Sequence, residues 1–316
     1  MANIVLGIAA SHSPQVSTSW EYWPSMSRTS QVGSNAPADV AAELEPDMQR
    51  DRFTATQRAL STLSAVLRNV QNLDAIVVFG DDQHEQFNDS NMPAVAIYHG
   101  DVATVKQINR DKIPWTGSAN ERHHISALTE WTNESYPGAP GLARHLLQSL
   151  TEQEFDVTRS DQLRDDIGLG HAFTFFYQRL WPDCNVPLVP IMLNTYYPPN
   201  QPTPQRCYKL GAAVRKAIES WDQGKRVAVI ASGGLSHIVI DEELDRRLLN
   251  ALQVHDVEKL CDISRSKLSG GTSEILNWIA LGGAVGLMPM TLVDYIAGYR
   301  SAPGTGCGMA FAYWSA

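Results

Sequence analysis

The amino-acid sequence predicts an α/β fold, a single domain in which helices flank a central, mainly parallel or mixed sheet. Three observations support this prediction. Continuous apolar segments of strand length alternate with segments whose apolar residues recur at helical spacing. The 316 residues, 43% of them hydrophobic, are enough to bury a sizeable core. No internal repeat or break in composition divides residues 1–316, so we expect one domain over the whole chain.

The first half of the chain supplies two predicted buried strands and a long helix. Residues Ile4–Ala10 are continuously apolar and stop at Ser11-His12-Ser13-Pro14, which is typical of a strand that is buried on both faces and ends in a loop. A helix is predicted between about residues 45 and 70, where apolar residues recur at helical spacing: Leu60, Leu63, Leu67 and Val70. A second buried strand is predicted at residues 73–79, followed by Gly80-Asp81-Asp82-Gln83-His84 and an extended segment at 94–98.

The second half continues the alternation of strands and helices. Strands are predicted at residues 186–193 and 226–231, and the adjacent prolines after the first of them exclude a helix there. Apolar periodicity predicts helices at residues 141–150, 206–221 and 241–255. A last helix is predicted to begin at Thr272 or Ser273, either of which can cap it, and to run through Glu274.

Charge and cysteine content exclude several classes of protein. Lys and Arg number 25 against 34 Asp and Glu, a net charge of −9 without a basic run, so nucleic acid is not an expected partner. No apolar run approaches the roughly 18 residues of a spanning helix. The N-terminus lacks the basic region of a signal peptide, and we expect a cytoplasmic protein that does not bind membranes. The four cysteines form no CxxC pair, which disfavours a zinc knuckle.

Three of the nine histidines follow predicted strands, namely His12, His84 and His237. Because ligands of open α/β sheets bind beyond the carboxyl ends of strands, these imidazoles are candidates for one crevice and for binding a divalent metal. Glu274, a charge at the start of an otherwise apolar helix, is the best candidate for a carboxylate ligand. The alternative for Glu274 is a first-turn acid that interacts with the helix dipole. Two histidines and one carboxylate form the ligand set of non-haem Fe(II) oxygenases.

A set of short segments, which occur in family order and cover most of the chain, resembles the class III extradiol ring-cleaving dioxygenases of the protocatechuate 4,5-dioxygenase catalytic-subunit type. The segments are Gly7–Pro14, Val77–Asp82, Asn194–Pro199 followed by Gln205–Gly211, Gly233–His237 and Ser273–Trp278. The resemblance implies that residues 1–316 form one extradiol-dioxygenase-like catalytic domain, which uses Fe(II) and O2 to open the ring of a catechol-type substrate. Residues 80–83 and 92–98 look nearer the gallate and methylgallate branch than protocatechuate itself.

The resemblance also implies roles for individual residues. His12 matches the first iron ligand and Glu274 matches the carboxylate ligand. His237 matches the active-site acid/base histidine, which does not bind iron.

Two positions depart from the family pattern. In the protocatechuate type the second histidine ligand directly follows Asn-Asp, whereas here Gln83 stands between Asp82 and His84. We expect His84 to be the second metal ligand, with the shift of one residue absorbed in a loop. Where the type sequence has a substrate-contacting histidine, this chain has Ile167. His171 is the expected catalytic substitute, and a structural histidine is the alternative.

Other readings of the same residues remain open at this point. The fold could open the ring of an aminophenol or another substituted catechol. A zinc hydrolase remains open because two histidines and a glutamate also bind zinc. A metal-free homologue acting as a partner subunit remains open because the second histidine is displaced.

Partners and substrate contacts are predicted less directly. We expect a homo-oligomer. The resemblance also leaves open a small accessory subunit that covers the active site. The segments at 15–46 and 100–140 could supply that cover instead. Three aromatic residues of the first segment either cover an aromatic substrate or pack against the body of the protein: Trp20, Tyr22 and Trp23. Arg206 and Lys209 either bind an acidic group of the substrate or lie on a helix surface.

Overall fold

The strands provide the framework that positions the functional loops. The computed structural model describes residues 1–26, 40–106, 134–222 and 224–315. Within these ranges the strands are β1 (Asn3–Ala10), β2 (Ala75–Asp81), β3 (Val95–Tyr98), β4 (Val102–Val105), β5 (Glu134–Pro137), β6 (Thr158–Ser160), β7 (Leu188–Leu193), β8 (Arg226–Ser232), β9 (His237–Val239), β10 (Met290–Tyr299) and β11 (Thr305–Trp314).

The helices lie between the strands, as the predicted alternation requires. They are α1 (Pro14–Ser17), α2 (Pro46–Arg68), α3 (Pro140–Glu152), α4 (His171–Phe175), α5 (Pro204–Ser220), α6 (Glu242–Gln253), α7 (Val257–Cys261) and α8 (Ile275–Val285). Four of them begin with proline, whose fixed φ suits the first helical position and whose missing N–H is not needed there. The side chains of Thr203 and Asp241 cap α5 and α6 by accepting from backbone N–H groups.

The main sheet is mixed, with a parallel centre. Its strand order is β10-β11-β1-β8-β2-β7-β3-β6, and β9 pairs with β11. The central strands β1, β8, β2 and β7 are parallel, whereas β11 and β3 run antiparallel to their neighbours β1 and β7. Side chains of β2 alternate between two apolar clusters, Val77 and Phe79 on one face and Ile76 and Val78 on the other. The predicted α/β fold with a mixed sheet and flanking helices is confirmed.

The register brings the carboxyl ends of the central strands to one edge. Ala10 of β1 pairs with Ser232 of β8, and the neighbouring Ala231 pairs with Phe79 of β2. The loops after β1, β2 and β8 therefore start side by side, which is the arrangement that predicted a crevice from the sequence.

Most predicted elements agree with the structure to within two residues at each end. The last helix is an exception, because residues Gly270–Glu274 form a 3₁₀ turn and α8 begins only at Ile275. Neither predicted cap acts there: the Thr272 hydroxyl accepts from the N–H of His237, and the Ser273 hydroxyl donates to the Gly270 carbonyl. Strands β10 and β11 were not predicted.

The aromatic residues near the N-terminus pack differently from one another. Trp23 is fully buried, and its indole N–H donates to the Thr18 carbonyl at 3.0 Å while its ring meets Phe53 edge-on. Tyr22 is exposed. Trp23 thus packs against the body of the protein, and the middle of its segment, residues 27–39, lies outside the described residues, as do residues 107–133 of the second predicted cover.

In the described part of the chain, no helix combines the length and the apolar character that are needed to cross a bilayer. All four cysteines are free thiols.

Replacing Gly211 by Ala is expected to destabilise the fold by about 1–3 kcal/mol, because this glycine of α5 packs directly against the backbone of α8. A Cβ atom at Gly211 would overlap the Ala280 carbonyl oxygen of α8, and backbone cannot yield as a side chain can. Gly141→Ala in α3 is the matched control, since no atom lies within 4 Å of the added methyl group. Urea unfolding curves of both variants test this expectation. An unchanged midpoint for Gly211→Ala would contradict it.

Candidate metal centre

His12 lies two residues beyond β1 and presents one free ring nitrogen. Its Nδ1 is 2.8 Å from the hydroxyl of Ser232, at the end of β8, which fixes the ring. Its Nε2 is buried and has no hydrogen-bond partner among the described residues. The nearest acidic atom is Oε2 of Glu274, at 3.4 Å. A buried imidazole nitrogen without a partner is unusual, and metal ligation is one way to satisfy it.

Asp81 is the last residue of β2, and its carboxylate is completely buried. The side-chain amide of Gln83 donates to Oδ2 at 2.9 Å, and that of Asn277 donates to Oδ1 at 3.4 Å. Burial and the nearby charge of Glu274 raise the pKa of Asp81 above its ordinary value. These surroundings disfavour the charged carboxylate, and a cation bound beside it would favour that form.

Glu274 ends the 3₁₀ turn before α8 and points back to the edge of the sheet. Its Oε2 accepts the backbone N–H of Gly234 at 2.7 Å. Burial alone would raise the pKa of Glu274, but the charges of His237 and His12 outweigh burial and lower it to about 2. The loop can come this close only because it carries glycine: a Cβ atom at Gly233, whose φ is +155°, would lie 3.0 Å from Cβ of Glu274.

These three side chains form a cluster suited to a divalent metal. One ligand atom each of His12, Asp81 and Glu274 lies within 4.8 Å of the others, and all three residues are buried. An unpartnered imidazole nitrogen and two buried carboxylates are the donors that Fe, Mn or Zn accept. The residues present thus fit a bound divalent cation.

His237 begins β9 and lies beside the same carboxylate. Its Nδ1 is 2.9 Å from the Leu235 carbonyl, which can only accept, so Nδ1 carries a proton. Its Nε2 is 3.4 Å from the sulfur of Cys307 and 3.6 Å from Oε2 of Glu274. Burial lowers the pKa of His237, but the neighbouring Cys307 and Glu274 outweigh burial and raise it to about 10. A cation bound at Glu274 cancels part of that negative charge and so favours the neutral imidazole.

His171, the first residue of α4, lies on the other side of His12. The two imidazole rings meet edge to face with their centroids 4.7 Å apart. Both oxygens of Glu85 bind His171, one accepting its backbone N–H at 2.7 Å and the other facing Nδ1 at 2.9 Å. Burial lowers the pKa of His171, yet Glu85 outweighs this and raises it to about 10. Glu85 therefore favours the protonated form of His171 at the edge of the cluster.

His84 does not join the cluster of His12, Asp81 and Glu274. It lies in a turn with φ +61°, its ring stacks on Tyr197 at 3.7 Å, and its Nε2 is 3.1 Å from Oδ1 of Asp89. One-third of its side chain is exposed. Its assignment as a metal ligand stays a prediction, which this placement does not favour.

Residues 34–310 match the family described as the catalytic LigB subunit of aromatic ring-opening dioxygenase. The chain belongs to this family. The predicted resemblance to class III extradiol dioxygenases and the predicted enzyme class, a ring-cleaving dioxygenase, are thereby confirmed.

Individual relatives match shorter parts of the chain than the family model does. A gallate dioxygenase of Pseudomonas putida is 34% identical over 163 residues, which are 47% of this chain and 46% of the relative. A 2,3-dihydroxyphenylpropionate/2,3-dihydroxicinnamic acid 1,2-dioxygenase of Azotobacter vinelandii is 33% identical over 102 residues, 32% of each chain. A protein of the same name from Cupriavidus necator is 33% identical over 101 residues, 32% of this chain and 30% of the relative. The chain thus spans about half or less of these relatives.

Several residues of the centre were not identified as functional from the sequence. Asp81 lies outside the predicted strand, which ends at Phe79, whereas β2 continues to Asp81. Cys307 was missed with the whole of β11, and Glu85 was missed because nothing near it in sequence marks it as the partner of His171. Arg206 and Lys209 are exposed on α5, and Arg206 lies over the ring of Phe155.

Proposed function

We propose that this protein is a non-haem Fe(II)-dependent extradiol dioxygenase, which opens a catechol-type ring next to its two hydroxyl groups and adds both atoms of O2. The observation that carries the proposal is the buried Nε2 of His12, which has no hydrogen-bond partner among the described residues and belongs to a cluster with the carboxylates of Asp81 and Glu274. We infer that His12 and Glu274 bind the iron. The names of the relatives, gallate and dihydroxyphenylpropionate dioxygenases, support an acidic aromatic ring with adjacent hydroxyl groups as the substrate class.

The chemistry at this centre divides between the metal and the protein. When bound, Fe(II) supplies coordination of the substrate hydroxyls, which lowers their pKa, and a route for electrons to dioxygen. His237 is suited to hold the substrate proton: Nδ1 is occupied by the Leu235 carbonyl, so Nε2 is the atom that takes up and returns a proton. The Glu274 carboxylate, 3.6 Å away, stabilises the imidazolium that forms.

His171 supports binding of an anionic substrate. Its ring lies next to that of His12, and Glu85 fixes its orientation through two contacts. An imidazolium in this position attracts a deprotonated hydroxyl or a carboxylate on the ring. It also offsets locally the net charge of −9 that would repel such a substrate.

Oxygen uptake tests the proposed function directly. The protein is reconstituted anaerobically with Fe(II), and air is then admitted with protocatechuate, gallate or methylgallate. We expect uptake of one O2 per ring with at least one of these diols, and a product that carries both atoms of ¹⁸O2. The same chain loaded with Zn(II) is the control and is expected to consume no oxygen, because Zn(II) has no redox chemistry.

Two results would contradict the proposal. One is the lack of oxygen uptake with every diol when iron is bound. The other is ester or amide cleavage by the zinc-loaded protein, which would indicate a metal-dependent hydrolase.

A further inference from the structure

We propose that Asp81 is a ligand of the metal in this protein, so that the centre contains one histidine and two carboxylates in place of two histidines and one carboxylate. The inference rests on the proposed function only in requiring that His12 and Glu274 bind a divalent metal. It concerns which side chain completes their set.

The position of Asp81 in the sheet favours this role. Strand β8 lies between β1 and β2, so His12 beyond β1 and Asp81 at the end of β2 approach each other across the end of β8. Their ligand atoms and that of Glu274 lie within 4.8 Å of one another. Asp81 is the last residue of β2 and pairs with Leu193 of β7, so the ladder holds its backbone. A ligand on a strand end is positioned more rigidly than one in a loop.

The hydrogen bonds that Asp81 accepts come from uncharged groups. Its donors among the described residues are two neutral amides, those of Gln83 and Asn277. Glu274, the other carboxylate of the cluster, is also completely enclosed, with 2% of its side chain exposed. Two buried carboxylates so close together repel each other, and a cation bound between them relieves that repulsion. The free Nε2 of His12 faces the same space, which makes a metal ion the cation that all three side chains accept.

Gln83 occupies the place that the second histidine ligand has in the protocatechuate type. It directly follows Asp81-Asp82, and its amide nitrogen is 2.9 Å from Oδ2 of Asp81 and 3.5 Å from Oε1 of Glu274. Its side chain thus faces the cluster and links the two carboxylates. His84, one residue later, stacks on Tyr197 and pairs with Asp89. The turn therefore directs an amide to the carboxylates and keeps the following imidazole on Tyr197.

The exchange of imidazole for carboxylate changes the charge of the centre. Two carboxylates and one neutral imidazole carry −2, which balances a divalent cation, whereas the two-histidine set carries −1. A metal in the more anionic set withdraws less electron density from a bound hydroxyl, so deprotonation depends more on His237. Oxygen-rich sets also favour Mn(II) more than imidazole-rich sets do.

Pulsed electron paramagnetic resonance of the full chain loaded with Mn(II) tests the inference, because it counts directly bound imidazole nitrogens. We expect one bound imidazole in the wild type and the same signal in His84→Ala. Asp81→Asn is expected to weaken Mn(II) binding by at least about 100-fold, more than the loss of a group behind a ligand costs. Asp82→Asn is the matched control, because the single amide oxygen of Asn can still accept the N–H of Gln86, the shorter of the two contacts that Asp82 makes with Gln86 and Phe87.

The outcomes separate this inference from the proposed function. Two bound imidazoles in the wild type, whichever histidine supplies the second, overturn the inference alone. Unchanged Mn(II) affinity in Asp81→Asn does the same. No binding of Mn(II) or Fe(II) by the wild type overturns both proposals. The imidazole count needs only the wild type and His84→Ala, so the test stands even if Asp81→Asn fails to fold.

Discussion

Replacing His12 by Ala is expected to empty the metal centre and to reduce oxygen uptake to the background rate. His12 is the one imidazole of the cluster, and its Nε2 is the buried atom without a hydrogen-bond partner. The variant keeps only the two carboxylates of the cluster, Asp81 and Glu274. Without the imidazole these two groups do not enclose a cation. Metal analysis after reconstitution with Fe(II) and dialysis, together with oxygen uptake in the presence of a diol, measures both effects.

A graded variant and a control accompany this experiment. Ser232→Ala removes the hydroxyl 2.8 Å from Nδ1 of His12, and we expect a loss of about 10–100-fold in metal affinity, because such a group orients the ligand. His145→Ala, which removes a contact with the Ala217 carbonyl of α5, is expected to retain iron and activity. Retention of stoichiometric iron and full activity by His12→Ala would contradict the assignment of this residue as a ligand.

The framework of the centre could be predicted because the sheet is buried on both faces. Strands such as β1 and β8 have no polar face, so they appear in the sequence as continuous apolar runs with sharp ends. The polar residues that follow such ends lie at one edge when the strands are parallel. His12 and His237 were found in this way, without any information about their distances.

Asp81 could not be assigned in the same way, because a polar residue at the end of an apolar run does not show whether the strand continues. Here β2 extends two residues beyond the predicted end, and the ladder with β7 holds Asp81 opposite Leu193. The missed hairpin of β10 and β11 has a different cause. Its strands contain Gly298, Gly306 and Gly308, where neighbouring backbone or side chains approach too closely for a Cβ atom. Glycines weaken the apolar alternation by which a strand is predicted.

The pairing of His171 with Glu85 also depends on contacts that only the folded chain creates. The two residues are 86 positions apart. A Cβ atom at Gly170 would lie 2.6 Å from Oε2 of Glu85, so the carboxylate fits only because that position is glycine. The resemblance suggested that His171 belongs to the site. Its orientation and its raised pKa depend on Glu85, which lies in the turn after β2.

Replacing His237 by Asn is expected to retain the metal and to reduce kcat by about 10²–10⁴-fold, the usual contribution of a general acid/base. The Asn amide can still donate to the Leu235 carbonyl, as Nδ1 does, but it has no atom in the place of Nε2. The substrate proton then has no acceptor at the position next to Glu274 that Nε2 occupies in the wild type. Because Asn leaves His12, Asp81 and Glu274 in place, iron content and the KM for the diol are expected to change little. Steady-state oxygen uptake and metal analysis on the same sample measure the two quantities.

Cys307→Ser distinguishes loss of the base from disturbance of its surroundings. The sulfur of Cys307 lies 3.4 Å from Nε2 of His237, and a hydroxyl of similar shape preserves a donor at that position. We therefore expect Cys307→Ser to keep most of the activity that His237→Asn loses. If His237→Asn instead released the iron while Cys307→Ser behaved as the wild type, His237 would be a metal ligand. Its Nε2 lies 3.6 Å from Oε2 of Glu274, so that result would require the ring to turn toward the metal, away from the sulfur.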